Sequence, residues 1–151
     1  MRIPLIALIL QGIPEQIAVV TLAFVIAKLQ LKWKVIAIGG IGLAVTSYLL
    51  RLLPVAFGVH TILLISLLFL LLLKFGQGTL NISLIASLIS FLVLILAETA
   101  CLCALMPVFG VTTERLLTMP TTRILITLPQ VVVIFIIAFI IAKFRSRGNS
   151  K

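Results

Sequence analysis

The chain has 151 residues, of which 63% are apolar, and its mean hydropathy is +1.41. Soluble domains are about 45–50% apolar, so this composition indicates an integral membrane protein and leaves no segment polar enough for a soluble catalytic domain. The formal net charge of +9 is typical of basic residues that flank the cytoplasmic ends of membrane helices, and we expect no nucleic-acid partner.

Five apolar stretches predict transmembrane helices, so the expected fold is an all-α, polytopic helical bundle that forms one domain over residues 1–151. The stretches are Ile3–Ala27, Val35–Leu53, His60–Leu73, Leu80–Met106 and Arg123–Ala142. The first contains Gln11-Gly12-Ile13-Pro14-Glu15, where Gly and Pro favour either a kink or a short entry segment before the true span. The third is short, so it lies with little tilt or extends towards Pro54. After the fourth, residues 112–115 predict an exposed turn that a short interfacial helix through Leu117 would extend.

The distribution of Lys and Arg predicts the orientation. With five spans, eight basic residues lie on one side: Lys28, Lys32, Lys34, Lys74, Lys143, Arg145, Arg147 and Lys151. The other side has Arg2, Arg51, Arg115 and Arg123, together with Glu15 and Glu114. We therefore expect the N-terminus outside and the C-terminus inside a bacterial plasma membrane, with the lipid bilayer as a partner.

Two distant segments of the chain are alike. Ile13–Leu29 aligns without gaps to Leu128–Phe144. Pro14, Ala23, Phe24, Ile26, Ala27 and Lys28 match Pro129, Ala138, Phe139, Ile141, Ala142 and Lys143. Either a duplication or a constraint common to apolar helices accounts for the match. In both cases the two helices are expected to run in the same direction.

Six polar residues are candidates for a ligand-binding pocket that faces outwards: Glu15, Arg51, His60, Glu98, Arg123 and Gln130. At about 1.5 Å rise per residue, all six lie in the outer half of the membrane or at its rim. A charge at the centre of a span costs roughly 2.5–3.5 kcal/mol on insertion scales. Such a residue is therefore expected to have a partner or a function.

Helical phase predicts that Arg51 meets Glu98. Each residue ends a stripe of mainly small residues: Ala37, Gly40, Ala44, Ser47 and Arg51 on the second helix, and Ser83, Ser87, Ser90, Leu94, Glu98 and Cys101 on the fourth. Packing these stripes together pairs the two charges, either to set the packing register or to bind a ligand or proton. Glu15 has no basic residue at its own depth. We expect it to reach the backbone near Pro14, to pair with His60, or to face a water-filled pocket.

Several kinds of chemistry have no residues to support them. The chain has no glycine-rich phosphate loop, no metal-ligand spacing and no Ser–His–carboxylate set. Cys101 and Cys103 are two apart on one helix and point in different directions, so they are not expected to bridge or share a metal. We expect no enzyme activity, no cofactor and no metal.

The segments RLLPVAFGVHTI (51–62), SLIASLISFLVLILAE (83–98) and RILITLPQVVVIFIIAF (123–139) resemble the transmembrane input region of GHKL-class bacterial sensor histidine kinases. The resemblance implies a helical bundle that receives a signal. Because no phosphoacceptor or ATP-binding region follows, it also implies a free-standing or truncated module that acts through a kinase-like membrane or cytoplasmic partner.

We therefore expect a non-enzymatic sensory or regulatory membrane module. A small-solute transporter, or a membrane subunit of one, is the first alternative, and five spans could work as half of a dimeric carrier. A purely structural assembly factor is the second. The sequence leaves a homo-oligomer open.

Overall fold

The computed structural model describes residues 5–54 and 56–148, and every regular element within these ranges is a helix. The elements are α1 (Leu5–Ala7), a π-helical segment (Leu8–Gly12), α2 (Ile13–Ile26), α3 (Trp33–Leu52), α4 (Phe57–Gly76), α5 (Leu80–Phe109), α6 (Thr113–Thr118) and α7 (Pro120–Gly148). The predicted all-α fold is confirmed, and α6 corresponds to the short helix expected after the fourth span. The predicted first residue of span one, Ile3, lies outside the described residues.

Within the described residues, five stretches are long and apolar enough to cross a membrane: Leu5–Ile26, Trp33–Leu52, Gly58–Gly76, Leu80–Phe109 and Thr121–Gly148. The prediction of five spans is thus confirmed. The third helix extends towards Pro54, since α4 begins at Phe57. The last helix continues six residues past the predicted Ala142 to Gly148. Arg145 and Arg147 favour this extension because cations stabilise the C-terminal end of a helix.

The first span is one continuous helix with a π-helical segment where a kink or an entry segment was predicted. The Ile13 N–H donates to the Leu8 carbonyl, one residue further back than in an α-helix. Gly12 and Ile13 both keep right-handed helical dihedral angles. Pro14 lacks an N–H and follows directly in the first turn of α2, where a missing donor disturbs a helix least.

Helix α2 is the centre of the bundle. It packs against α3, α4, α5 and α7, and these four also pack in sequence, α3 against α4, α4 against α5 and α5 against α7. All residues from Ala18 to Val25 are buried, whichever way their side chains point. A helix that is apolar on all sides is expected to be buried in this way.

The predicted packing of the second helix against the fourth is wrong. Helices α3 and α5 make no contact with each other anywhere in the described part of the chain. Both pack against α2 instead. The small-residue stripes had indicated close packing of each helix, but α2 offered no comparable stripe, and its position between the other two was missed.

Helix α3 comes close to the main chain of α2 at Gly40. A methyl group added there would lie 2.5 Å from Ile17 Cγ1, 2.9 Å from Ile17 Cα and 3.0 Å from Ile17 N, so it would overlap main chain as well as a side chain. Small residues at such crossings allow membrane helices to gain dispersion energy over a long contact. Gly42, on the same helix, would meet nothing within 4 Å.

The two similar segments pack side by side in the same direction. Helix α2 contacts α7, and the Arg145 guanidinium near the end of α7 donates to the Lys28 carbonyl just after α2, at 2.9 Å. Near the starts of the same two helices, Arg123 is within electrostatic reach of Glu15. We call the end of the bundle with Glu15 the polar end and the end with Lys28 and Arg145 the basic end.

We predict that Gly40→Ala destabilises the protein while Gly42→Ala does not. Overpacking against main chain costs about 1–3 kcal/mol, whereas a methyl group at Gly42 is unopposed. The measurement is thermal unfolding of the two purified variants in the same detergent. Equal midpoints for the two variants would contradict the close α2–α3 crossing.

Candidate functional site

Glu15 is a buried carboxylate on the central helix. It lies in the first turn of α2, directly after Pro14, and is 9% exposed. The Gln11 side chain, one turn earlier in the π-helical segment, donates a hydrogen bond to it. Because α2 is enclosed by other helices, the Glu15 carboxylate faces protein rather than lipid.

Three further charges, each from a different helix, act on Glu15. Arg51 of α3 exerts the strongest of these electrostatic interactions, followed by Glu98 of α5 and Arg123 of α7. Glu15 was expected to have no basic residue at its own depth, yet two arginine charges reach it. The expectation was based on Cα depth alone, and a long arginine side chain extends its charge well away from its own Cα position.

The predicted Arg51–Glu98 ion pair is absent. Arg51 and Glu98 are carried by α3 and α5, helices that do not contact each other in the described residues, so the two charges are not brought together. Each interacts instead with Glu15. The physical reason is the position of α2, which separates the helices that carry the two charges. Arg51 is exposed and Glu98 half-buried, so both retain access to the surroundings of the bundle.

His60 joins the polar end through α3. It lies near the start of α4 and is half-buried, and its Nε2 is 3.2 Å from the Ser47 hydroxyl. Ser47 lies one turn before Arg51, whose charge also acts on His60. The imidazole can donate or accept in this hydrogen bond, depending on its tautomer.

Gln130 is buried on α7 and is not hydrogen-bonded to these charges. It is 1% exposed, and both its amide nitrogen and its amide oxygen lack hydrogen-bond partners. Arg123 is two turns earlier on α7. In the alignment of the two similar segments, Gln130 corresponds to Glu15, and each directly follows a proline. A buried polar group without a partner costs about 1–3 kcal/mol, so the Gln130 amide has unused hydrogen-bonding capacity.

The structure thus connects five of the six predicted residues at the polar end. Glu15, Arg51, Glu98 and Arg123 interact electrostatically, and His60 is connected through Arg51. Two carboxylates oppose two guanidinium groups, so the cluster is balanced in charge.

Gln11, Ser47 and Gln16 were missed as site residues. Gln11 precedes Glu15 by four residues and Ser47 precedes Arg51 by four, a helical spacing that places side chains together. Gln16 is 4% exposed, and its amide oxygen lacks a hydrogen-bond partner. No spacing in the sequence indicates this residue, because its role follows only from its burial in the bundle.

No group of three or more His, Cys, Asp or Glu side chains in residues 5–54 and 56–148 is placed to hold a metal ion. No protein-family model, curated protein or solved structure matches the chain. What the polar end does is therefore inferred from its own residues.

We predict that Glu15 and Arg51 are energetically coupled. Glu15→Gln and Arg51→Gln should be non-additive in a double-mutant cycle by more than about 0.5 kcal/mol, because each removes the other's partner. Unfolding in detergent provides the measurement. Glu15→Gln with Arg115→Gln is the matched control, since Arg115 is exposed on α6 and is not among the charges that act on Glu15. Additive effects in both cycles would contradict the cluster.

Proposed function

We propose that this chain is a non-enzymatic sensory or regulatory module of a bacterial plasma membrane. Its polar end binds a small polar ligand at Glu15, with Arg51, His60, Glu98 and Arg123 around it. Gln130 of α7 supplies further hydrogen-bonding capacity between the helices. Occupancy of this site is read by a membrane or cytoplasmic partner.

The observation that carries the proposal is the burial of Glu15 on the central helix. A buried carboxylate costs several kcal/mol of desolvation, which its electrostatic partners only partly offset. Packing alone gives no reason to place it there, because an apolar residue would fill the same volume without that cost. A binding role explains both the carboxylate and the charges that three different helices direct to it.

The α2–α7 pair offers a route from this site to a partner. Glu15 and Arg123 interact near the starts of these helices, and the Arg145–Lys28 hydrogen bond joins their ends. A ligand that changes how the starts pack therefore acts on one continuous helix pair. The resemblance to kinase input regions supports the same route, since a final helix leads to the partner in those proteins.

A small-solute transporter is the second candidate, and one observation favours it. Ser83, Ser87 and Ser90 of α5 are fully buried, and they continue from the level of Glu98 towards the basic end. The Ser83 hydroxyl lacks a hydrogen-bond partner. The Ser87 and Ser90 hydroxyls donate to the Leu84 and Ala86 carbonyls of α5. From Ser83 to Ser90 the three buried hydroxyls extend over roughly 10 Å at 1.5 Å per residue.

We predict that Glu15→Gln abolishes function but preserves folding. The neutral side chain removes the desolvation cost and still accepts the Gln11 hydrogen bond, while the exposed Arg51 and Arg123 remain solvated. In the native host, the variant protein should be present in the membrane at the wild-type level, and the cells should have the transcript profile of a strain that lacks the gene. Glu114→Gln, which changes an exposed carboxylate on α6, should behave as wild type.

The result separates the candidates. Loss of solute uptake without a transcriptional change would favour the transporter. A wild-type profile for Glu15→Gln would remove the central residue of the proposal, and loss of the folded protein would favour a structural assembly factor.

We further predict the orientation from the basic residues. A green fluorescent protein fused after Lys151 should fluoresce, because this reporter folds only in the cytoplasm. Alkaline phosphatase inserted after Thr118 should be active, because this reporter is active only outside the cytoplasm. If alkaline phosphatase fused after Lys151 in place of the fluorescent protein were active, the proposed orientation would be reversed.

A further inference from the structure

The basic end of the bundle carries an uncompensated positive charge. Seven exposed basic residues lie there: Lys28, Lys32, Lys34, Lys74, Lys143, Arg145 and Arg147. The three acidic residues of the chain lie elsewhere, Glu15 and Glu98 in the polar cluster and Glu114 on α6. The basic end therefore attracts anions, and at the ends of membrane helices the abundant anions are lipid head groups.

This end also contains an open cleft of about 260 Å³ between the end of α2, the α2–α3 loop and the end of α7. Its lining is mostly apolar, with one guanidinium and one hydroxyl group: Val25, Leu29, Leu31, Ala142, Arg145 and Ser146. The two polar residues are adjacent near the end of α7. The cleft therefore combines an apolar wall with a positively charged rim.

Main-chain geometry holds the guanidinium at this rim. Lys28 has a left-handed conformation with φ of 58°, and the Leu29 N–H donates to the Phe24 carbonyl at 3.0 Å, which ends α2 in a tight turn. The turn presents the Lys28 carbonyl to Arg145, whose Nη2 donates to it at 2.9 Å. A guanidinium has five N–H donors, and this hydrogen bond uses one of them.

We propose that the cleft binds one anionic phospholipid. The Arg145 guanidinium and the Ser146 hydroxyl donate to the lipid phosphate, and an acyl chain packs on Val25, Leu29, Leu31 and Ala142. A free phosphate ion would leave this apolar wall without a partner. A zwitterionic lipid would bring its ammonium group among exposed lysines with no carboxylate in the lining. The site is separate from the polar end and does not depend on the function proposed for it.

Trp33, the only tryptophan of the chain, provides a local probe. It is two residues after Leu31 and is 56% exposed. Phosphatidylglycerol with brominated acyl chains, titrated into the full-length protein in detergent, should quench Trp33 fluorescence to saturation. Arg145→Ala should weaken the apparent affinity about fivefold or more, since one basic residue near a lipid surface contributes roughly 1 kcal/mol. Arg147→Ala is the matched control, because it removes an equal charge two residues away that does not line the cleft.

A second variant tests the apolar wall without changing any charge. Ala142→Phe should fill the cleft and remove saturable quenching, while the Arg145–Lys28 hydrogen bond is kept. This variant therefore tests the proposal even if the Arg145→Ala variant fails to fold. Unchanged affinity in Ala142→Phe would overturn the proposal. Equal losses in Arg145→Ala and Arg147→Ala would indicate diffuse attraction, and equal binding of brominated phosphatidylcholine would exclude selectivity for anionic lipid. Displacement of the lipid by millimolar inorganic phosphate would show a simple anion site instead.

Discussion

The enclosure of α2 by four other helices is the constraint on which the rest of the structure depends. Lipid tails are as apolar as the side chains of α2, so its burial is not driven by exclusion from water and depends on close packing. Gly40 provides that packing by bringing α3 against the main chain of Ile17. The same enclosure decides the surroundings of Glu15, because a carboxylate on a central helix can be offset only by charges that neighbouring helices bring to it.

Charges are balanced within the protein at the polar end of the bundle and are not balanced at the basic end. At the polar end, Glu15 and Glu98 lie among Arg51 and Arg123, and the low dielectric between helices makes such compensation necessary. At the basic end, the exposed cations have no carboxylate among them in the described residues. Water and lipid head groups can solvate these cations, so balance within the protein is not required there.

Both proposed sites lie on the α2–α7 pair. Its starts carry Glu15 and Arg123, and its ends carry the Lys28 carbonyl and Arg145. The alignment of Ile13–Leu29 with Leu128–Phe144 places Glu15 opposite Gln130. One position holds a carboxylate surrounded by charges and the other a neutral amide without partners, so two similar helices have come to occupy different chemical surroundings.

Hydropathy and helical rise by themselves predicted the five spans, because the apolar length of a helix is a local property of the chain. They also placed Glu15, Arg51, His60, Glu98 and Arg123 at one end, since residue count along a helix gives depth. Only the tertiary structure decided which helices are neighbours. Beyond Glu15 and Gln16, helix α2 is apolar on nearly every side and carries no pattern that indicates a partner. Its position between α3 and α5, which separates Arg51 from Glu98, could therefore not be predicted. The cleft beside Arg145 depends likewise on the ends of α2 and α7 meeting, which no local pattern specifies.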